Sequence, residues 1–331
     1  MPSPPPVLRA ISVVRRWLAL VAILALSTAA TVACGPADTP ETKETKSASS
    51  RGCTPAHSLS PGSSQQTLVV GGQSRSYLLR VPPGYDGSVR TPVVVLFHGL
   101  GGAPESVVNT TSMGELADDN TAILVAPLAR GKVSEWDFRS PISEPTSDLA
   151  FVRDLVEELE SGACVDSSRL YAAGFSNGSA LAFALACDGT TTFAAYAGVS
   201  GPYWADSCTK SPPASVIYFH GLQDKVVDYD GADTVIGLLP PVNEAMASWA
   251  AHDACPAASA TTTVSQHVRH FTWEACRGGS GVDVYVVDNG GHRWPGGERP
   301  SPGRASGVTT HEINASALIW GFFDRHALGG Q

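Results

Sequence analysis

The chain is poor in charged side chains, and basic side chains are the scarcer kind. Charged residues make up 16% of its 331 positions, and 22 Lys and Arg face 31 Asp and Glu, which gives a formal net charge of −9. Proteins that bind nucleic acid present a basic patch or stripe. The charge balance therefore argues against a nucleic-acid partner and against an anionic substrate held by bulk charge.

Three further features are absent from the sequence. No C-x-x-C pair occurs, which argues against a cysteine-ligated metal, and we expect no metal and no organic cofactor. No internal repeat or second domain is visible, so at 331 residues a single domain is expected. The apolar run at 17–26 is too short for a permanent membrane-spanning helix. By contrast, 33 Gly and 24 Pro predict a loop-rich protein.

The first 34 residues have the pattern of an export signal. A basic stretch that ends at Arg16 precedes the apolar run at 17–26, and small residues lead up to Cys34. A cysteine directly after such a cleavage site resembles a bacterial lipobox, in which that cysteine is acylated. We expect an extracellular or cell-surface protein whose contact with a membrane is limited to an acylated Cys34; ordinary cleavage is the alternative. Residues 35–52 lack hydrophobic periodicity and predict a disordered tether.

Six cysteines remain when Cys34 is set aside, and an even number in an exported chain predicts disulfides. Sequence alone does not choose among the possible connectivities. Proximity along the chain favours the pairs Cys187–Cys208 and Cys255–Cys276, and elimination leaves Cys53–Cys164.

The strongest chemical signal is the pentapeptide G-F-S-N-G at 174–178. An apolar run precedes it and a helical stretch at 180–186 follows it, which is typical of a nucleophile elbow on a strand–turn–helix. Glycines two residues on either side of Ser176 leave room for so tight a turn. The motif predicts Ser176 as the nucleophile, with the backbone N–H of Asn177 directed toward the developing oxyanion.

A second glycine-rich motif, H-G-L-G-G at 98–102, directly follows the apolar run at 92–97, which is typical of a buried parallel strand. The motif predicts the other half of an oxyanion hole, donated by the backbone N–H of Leu100. A plain glycine turn before a helix predicted at 104–118 is the alternative. His98 is assigned to the substrate pocket, where we expect it to orient the loop through hydrogen bonds and not to act as the base.

Two later segments supply an acid and a base in the chain order that hydrolases of this type use. Asp224 comes just after the predicted strand at 215–219, where the acid that holds the histidine belongs. Asp228 is its competitor, and a purely structural turn aspartate is the other alternative. His292 lies in a glycine-rich loop after the last predicted strand, from which it can reach over the elbow. With Ser176, these residues predict a Ser-His-Asp triad.

Aromatic side chains near these motifs are candidates for the substrate pocket. Trp136 lies in the long loop at 127–146, and long loops after strands carry substrate contacts in α/β enzymes. Trp204 follows the strand after the elbow, and Trp294 lies in the histidine loop. Each of these rings could instead pack onto the core. Asp148, just beyond the long loop, is interpreted as a helix cap and not as a catalytic acid.

Four motifs together resemble the polyhydroxybutyrate depolymerase-like esterases, a group similar to the feruloyl and acetylxylan esterases of carbohydrate esterase family one. They are H-G-L-G-G at 98–102, G-F-S-N-G at 174–178, H-G-L-Q-D-K-V-V-D-Y at 220–229 and G-G-H-R-W-P-G-G at 290–297. The resemblance covers residues 76–325 and implies an α/β-hydrolase fold, with a mostly parallel sheet between two layers of helices. Two early strands separated by Gly71 and Gly72 predict an antiparallel hairpin at the sheet edge. Residues 309–326 predict a closing helix. We place a single catalytic domain at 53–331.

The same resemblance implies a secreted or lipid-anchored serine esterase, with Ser176 as nucleophile, Asp224 as acid and His292 as base. Its partner would be an ester substrate, either a small molecule or an oligomer. A feruloyl or acetyl ester on plant polysaccharide is the alternative substrate, and a peptidase on the same fold is a weaker possibility. The alternative from another class is a catalytically silent hydrolase scaffold that only binds at the cell surface.

Overall fold

In the computed structural model, the apolar strands of the sequence form one large sheet. The structure describes residues 52–53, 57–206, 208, 211–235, 237–256, 259–298 and 306–329. The predicted export signal at 1–34, including Cys34, and the predicted tether up to residue 51 lie outside the described residues. The boundaries of a single catalytic domain at 53–331 remain a prediction.

Ten strands form this sheet in the order β1-β2-β4-β3-β5-β6-β7-β12-β11-β10, and β8 pairs with β9 in a separate ribbon. The strands are β1 (Gly62–Val70), β2 (Gln73–Val81), β3 (Thr91–Phe97), β4 (Ile123–Pro127), β5 (Val165–Phe175), β6 (Ala195–Val199), β7 (Val216–Gly221), β8 (Ala232–Thr234), β9 (Gly237–Leu239), β10 (Ala260–Ser265), β11 (Val268–Trp273) and β12 (Val282–Val287).

The centre of the sheet is parallel and its two margins are antiparallel. Strands β4, β3, β5, β6, β7 and β12 pair in parallel with their neighbours in that order. Strands β1 and β2 at one margin, and β11 and β10 at the other, pair antiparallel. The parallel arrangement places the carboxyl ends of the central strands at one edge, which is where α/β enzymes bind their ligands.

Helices cover both faces of the sheet, as the resemblance implied. They are α1 (Pro104–Thr111), α2 (Met113–Asp119), α3 (Asp148–Gly162), α4 (Asn177–Asp188), α5 (Val242–His252) and α6 (Ala315–Phe323). Side chains of α1, α2 and α6 pack in one apolar core, and those of α3, α4 and α5 pack in another. Strand β3 is buried along its whole length, and its residues alternate between the two cores, with Val93 and Val95 in one and Val94 and Leu96 in the other. This alternation explains its uninterrupted apolar sequence.

The predicted edge hairpin is present as β1 and β2. Gly71 and Gly72 connect the strands with φ of 55° and 77°. Positive φ at both central residues is the geometry of a two-residue hairpin turn, and glycine adopts it without steric cost. Together with the parallel centre of the sheet and the helices on both faces, this hairpin confirms the expected α/β-hydrolase architecture.

Two helices differ from the prediction. The expected helix at 104–118 is broken at Ser112, whose φ of 53° is left-handed and separates α1 from α2. The expected final helix at 309–326 begins only at Ala315, after Asn314 caps it by accepting a hydrogen bond from the N–H of Ala317. The chain before Asn314 is not helical, and two of its carbonyl groups bind the histidine loop: Val308 O accepts from Gly291 N and Thr310 O accepts from Gly296 N.

Three disulfides join Cys53 with Cys164, Cys187 with Cys208, and Cys255 with Cys276. The first bridge ties the segment that precedes β1 to the start of β5. In the part of the chain that the structure describes, no helix is both long and apolar enough to cross a membrane.

Candidate active site

Ser176 stands on the turn between β5 and α4, in a backbone conformation that few side chains adopt. Its φ of 54° and ψ of −121° lie outside the allowed regions for most residues, and its N–H donates to Val199 O at 2.8 Å. A methyl group on Gly174 would lie 2.1 Å from Gly178 O, and one on Gly178 would lie 2.5 Å from His98 O. Both glycines are therefore required by close backbone packing around the turn.

His292 connects Ser176 to Asp224 through two hydrogen bonds. Its Nδ1 lies 2.7 Å from Asp224 Oδ2, and its Nε2 lies 3.0 Å from Ser176 Oγ. An ionised carboxylate only accepts hydrogen bonds, so Nδ1 carries the proton and Nε2 accepts from the serine hydroxyl. The three side chains, at most 8% exposed, form what we call the elbow line.

Asp224 is held as an ionised acceptor. Its Oδ1 accepts hydrogen bonds from the N–H groups of Val226 at 2.8 Å and Val227 at 2.9 Å. Burial by itself would raise the pKa of Asp224, but the hydrogen bond and charge of His292, together with His220 and the N–H of Val227, outweigh burial and hold that pKa below its ordinary value. An ionised Asp224 can stabilise a positive charge on His292.

The two amide groups predicted for an oxyanion hole lie beside Ser176. Leu100 and Gly99 line the same cavity as Ser176 and His292, and Asn177 is the first residue of α4. Among the described residues, neither the N–H of Leu100 nor that of Asn177 donates to a protein acceptor. Both donors are therefore available to a negatively charged oxygen that forms near Ser176.

His98 fixes the loop that carries Leu100. Its Nδ1 lies 2.7 Å from Gly99 O, and its Nε2 accepts from the N–H of Ala129 at 3.1 Å. This pattern defines a neutral imidazole with the proton on Nδ1. Burial lowers the pKa of His98 and keeps it neutral. Trp136 adds to this support, since its Nε1 donates to His98 O at 2.8 Å.

The Asn177 side chain ties the long loop to the elbow. Asn177 Oδ1 accepts from the N–H of Trp136 at 2.7 Å, and Asn177 Nδ2 donates to Trp136 O at 3.2 Å. This pair of bonds locks the residue that follows Ser176 against the loop at 127–146. The position of the Asn177 amide therefore depends on a segment far from it in the sequence.

A cavity of about 400 Å³ is open to Ser176 and His292. One part of its wall is apolar and another part is polar. The apolar lining side chains are Leu100, Phe175, Val226, Val227, Ala232 and Val235, and the polar ones, apart from the triad residues, are Lys225, Asp228, Asp233 and Thr234.

None of the four residues predicted for the substrate pocket lines this cavity, and Trp136 and Trp294 instead pack in the core, the alternative that the sequence left open. His98 and Trp136 are each 1% exposed and hold the loop that carries Leu100 through hydrogen bonds. Trp294 is 2% exposed and donates from Nε1 to Ser316 Oγ at 2.9 Å, so it anchors the histidine loop to α6. Trp204 is half-buried against the core formed with α4 and α5. Large aromatic rings bury much apolar area, which explains the positions of Trp136 and Trp294.

Two other aspartates differ from the acid of the elbow line. Asp228 is exposed, and its carboxylate accepts from the N–H of Asp230 and not from His292. Asp148 is fully buried and forms an ion pair with Arg75 at 2.6 Å. It is the first residue of α3 and not its cap, because the Ser147 side chain accepts from Ala150 N. The sequence interpretation of Asp148 as structural agrees with this geometry, although the capping residue is its neighbour.

Sequence reasoning missed one wall of the cavity. The β8–β9 ribbon contributes Ala232, Asp233 and Thr234, and Val235 lies in its turn. Strands of three residues carry too little periodicity to be recognised. The exposed side chains of Val235 and Leu238, 65% and 67% accessible, became apparent only in the structure.

A second Ser-His-Asp arrangement lies elsewhere in the molecule. His252 Nε2 is 3.1 Å from Ser211 Oγ, and His252 Nδ1 is 2.7 Å from Asp253 Oδ1. We call these residues the α5 line, because His252 ends that helix. The carboxylate of Asp253 also accepts from the N–H of Ala214. A hollow of about 290 Å³ in this region is lined by Pro212 but not by Ser211, His252 or Asp253.

Comparisons with known proteins agree with the fold and the motifs. The family model described as Esterase PHB depolymerase matches residues 75–274. Feruloyl esterase C of Emericella nidulans is 31% identical over 192 residues, which are 55% of this chain and 68% of that protein. NocK of Nocardia uniformis subsp. tsuyamanensis, described as an esterase, is 28% identical over 273 residues, 75% of this chain and 79% of that protein.

Among solved structures, an acetyl xylan esterase from Aspergillus awamori matches 79% of this chain and 99% of its own, with a TM-score of 0.60 and 15% identity. At that identity the match supports the fold alone, and the fold is that of the α/β-hydrolases. The family match spans more than half of the chain and includes Ser176 and Asp224. The chain therefore belongs to the polyhydroxybutyrate depolymerase family of esterases and is a carboxylic ester hydrolase.

Proposed function

We propose that the elbow line performs ester hydrolysis in two acyl-transfer steps. Ser176 Oγ attacks the ester carbonyl while His292 Nε2 takes its proton, and His292 then gives that proton to the departing alcohol. Water attacks the acyl-enzyme in the same manner and releases the acid. Asp224 holds the imidazole in the required tautomer and stabilises its positive charge.

The N–H groups of Leu100 and Asn177 are proposed as the donors to the oxyanion of each tetrahedral intermediate. Their support is rigid, since His98, Trp136 and the Asn177 side chain hold the two segments together. Donors that are already oriented need no reorganisation when charge develops on the substrate oxygen.

One observation carries this proposal. The hydrogen bonds of 3.0 Å and 2.7 Å from Ser176 through His292 to Asp224 lie against a cavity of about 400 Å³, so a substrate carbonyl has access to the serine. In an inactive scaffold nothing would preserve this line beside two amide N–H groups that have no acceptor among the described residues.

Labelling with a fluorophosphonate probe tests the proposal directly. The probe reacts with serines that a neighbouring base activates. We expect one adduct, located on Ser176 by peptide mass spectrometry, and no adduct in a Ser176→Ala variant. An unlabelled wild-type protein, or an adduct on another serine, contradicts the assignment.

For the substrate we propose a carboxylic ester whose acyl group packs on the apolar wall formed by Leu100, Val226 and Val227. Short oligomers of 3-hydroxyacids, the ester class after which the family is named, are the first candidate. Feruloyl or acetyl esters of sugars are the second candidate. They are supported by the Emericella relative's name and by Asp228 and Asp233, which can accept hydrogen bonds from sugar hydroxyl groups.

A substrate panel separates the two candidates. Hydroxyacid oligomers end in a carboxylate, which the two cavity aspartates would repel and only Lys225 would attract. If sugar esters are preferred, kcat/KM for a feruloyl or acetyl sugar ester will exceed that for a hydroxyacid dimer, and replacing Asp233 by Asn will lower it. The opposite ranking, with kcat/KM for the hydroxyacid dimer raised in Asp233→Asn because one repelling charge is removed, favours the oligomer.

We also propose that the protein works outside the cytoplasm, either secreted or anchored at the cell surface through an acylated Cys34. The three disulfides support this, because such bonds persist in oxidising compartments. Metabolic labelling with an alkyne fatty acid should mark a lipid-anchored form and leave a Cys34→Ser variant unlabelled, whereas a secreted form that is not acylated should take up no label.

A further inference from the structure

A second histidine, His220, lies behind the acid of the elbow line and has no part in the mechanism above. It occupies the end of β7, and its side chain has no exposed surface. We propose that His220 is a positioning residue, which fixes the orientation of Asp224 and the adjoining wall of the substrate cavity. The inference rests on the proposed function of the elbow line.

The hydrogen bonds of His220 define its tautomer. Its Nε2 lies 2.9 Å from Val227 O, an atom that can only accept, so Nε2 carries the proton. Its Nδ1 lies 2.7 Å from Tyr218 OH and accepts from that hydroxyl. Burial lowers the pKa of His220 and raises the pKa of Tyr218 well above its usual value, so both groups remain neutral. The hydrogen bond from Tyr218 thus orients the His220 ring so that the Nε2–H group points at Val227 O.

Two contacts connect this N–H to the acid. The His220 Nε2 also lies 3.5 Å from Asp224 Oδ2, the oxygen that accepts from His292. At that distance the contact is an electrostatic one more than a full hydrogen bond. The stronger link is indirect: His220 anchors Val227, whose N–H and that of Val226 donate to Asp224 Oδ1. The same residue therefore holds the carboxylate from both sides.

Catalysis depends on this orientation because Asp224 must stay in line with Nδ1 of His292 as the imidazole gains a proton. A displacement of about 1 Å in a reacting group can cost on the order of 100-fold in rate. Val226 and Val227 also line the substrate cavity. The buried His220 side chain therefore positions both Asp224 and this part of the cavity wall.

A matched pair of amide variants tests the role. In His220→Gln the side-chain NH₂ can reach the position of Nε2 and donate to Val227 O, whereas in His220→Asn the shorter side chain reaches only the position of Nδ1. We expect the rate of Ser176 labelling by a fluorophosphonate and kcat for a p-nitrophenyl ester to fall about 10- to 100-fold in His220→Asn and to stay within about threefold of wild type in His220→Gln.

Equal rates in the two variants, or a faster His220→Asn, would overturn the proposal, because a merely structural polar group would not distinguish them. The pair His252→Gln and His252→Asn, in the α5 line, is the control and should leave the labelling rate unchanged. Ser176→Ala keeps the two hypotheses apart, since labelling that persists in it refutes the proposed function and not the role of His220. If His220→Asn does not fold, ¹⁵N spectra of the wild-type histidines decide: a proton on Nδ1 of His220 in place of Nε2 refutes the role.

Discussion

The elbow line and the α5 line contain the same three side chains with almost the same spacing. The distances from histidine to serine are 3.0 Å and 3.1 Å, and those from histidine to aspartate are both 2.7 Å. On side-chain geometry alone, both are triads. Their surroundings differ in each property that acyl transfer requires, which shows that the side-chain line is only one part of a catalytic site.

The backbone around the two serines differs most. Ser176 has positive φ on a strand–turn–helix and is followed by Asn177, whose N–H is unpaired among the described residues. Ser211 is not among the described residues with positive φ, and it is followed by Pro212, which has no N–H. The α5 line therefore lacks the amide donor that an oxyanion would need at that position.

The two acids also differ in their protonation behaviour. Burial raises the pKa of Asp253, and the hydrogen bonds from Ser280, His252 and Ala214 only partly oppose it. For Asp224 the opposing contacts prevail and the pKa is lowered. The elbow line is thus arranged to keep its carboxylate charged, whereas the α5 line connects α5 to the chain before β7 and has a structural role.

The largest expected difference between the lines is in turnover. Ser176→Ala should lower kcat for a p-nitrophenyl ester by on the order of 10⁴ or more, since removal of a triad nucleophile leaves only the oxyanion donors and binding. Ser211→Ala should stay within about twofold of wild type, as expected of a substitution away from the reacting groups. Circular dichroism and thermal unfolding of both variants serve as the folding control. Comparable losses in the two would show that the α5 line takes part in catalysis.

The acids can be compared in the same way. Asp224→Asn should lower kcat by roughly 10⁴, because the amide favours the wrong imidazole tautomer. Asp253→Asn should leave kcat nearly unchanged and lower the free energy of unfolding by about 1–3 kcal/mol, the usual cost of weakening buried hydrogen bonds. Stopped assays on an ester substrate and urea titrations measure the two effects. A large loss of kcat in folded Asp253→Asn contradicts this division of roles.

In the sequence, Cys255 of the disulfide Cys255–Cys276 is two residues after Asp253 of the α5 line, and both cysteines are far from Ser176. It closes a loop with a sequence separation of 21 residues, so replacing both cysteines by Ser should lower the free energy of unfolding by about 3 kcal/mol. We expect kcat/KM at 25 °C to remain at the wild-type level, since the triad is untouched. Thermal unfolding followed by assay of the folded enzyme tests this, and a selective loss of kcat would indicate that the bridge also positions the elbow line.

The pH dependence of stability should have opposite signs for the two acids. Asp224, with its lowered pKa, stabilises the folded protein above its ordinary pKa of 3.8, and this contribution is lost as the pH falls through the folded value. Asp253, with its raised pKa, contributes stability that is present below 3.8 and is lost as the pH rises through the folded value.

Urea titrations across the acid range measure this contrast. The difference in unfolding free energy between wild type and Asp224→Asn should decrease as the pH is lowered, whereas the difference between wild type and Asp253→Asn should increase. If the two differences in unfolding free energy changed with pH in the same direction, the two carboxylates would have similar environments.

The smallest effect is expected when a backbone N–H is introduced after Ser211 in the α5 line. Adding Pro212→Ala to Ser176→Ala supplies an N–H after Ser211, but the serine still lacks the strained turn and does not line the neighbouring hollow. Hydrolysis should stay at the level of the Ser176→Ala single variant in an overnight assay. Any gain above that level would show that the missing amide was the main defect of the α5 line.

Much of the elbow line could be predicted because its residues lie in short local motifs. G-F-S-N-G requires a sharp turn wherever it occurs, and the apolar runs before the motifs predict strands whose ends meet at one edge of a parallel sheet. The structure brings Ser176, His292 and Asp224 together at that edge. The order of the motifs along the chain was sufficient to predict the family, and the family model that matches residues 75–274 supports that prediction.

The cavity beside Ser176 could not be predicted in the same way. Trp136 and Trp294 were candidates for its lining, but both rings are buried. Trp136 donates a hydrogen bond to His98 O, and Trp294 donates one to Ser316 of α6. The actual wall comes from Val226 and Val227 and from the β8–β9 ribbon, which has no periodic signal. Nor does composition distinguish the α5 line from the elbow line, because both contain Ser, His and Asp.

The sequence by itself determined the class of chemistry and the order of its residues, because a nucleophile elbow, a glycine-rich donor loop and a strand-end acid are local features of backbone conformation. Only the tertiary structure decided which aspartate faces the histidine, which side chains line the cavity, and that His220 lies behind Asp224. Those relations join residues that are distant along the chain, and they follow from how strands, loops and helices pack against one another and not from the conformation of any single segment.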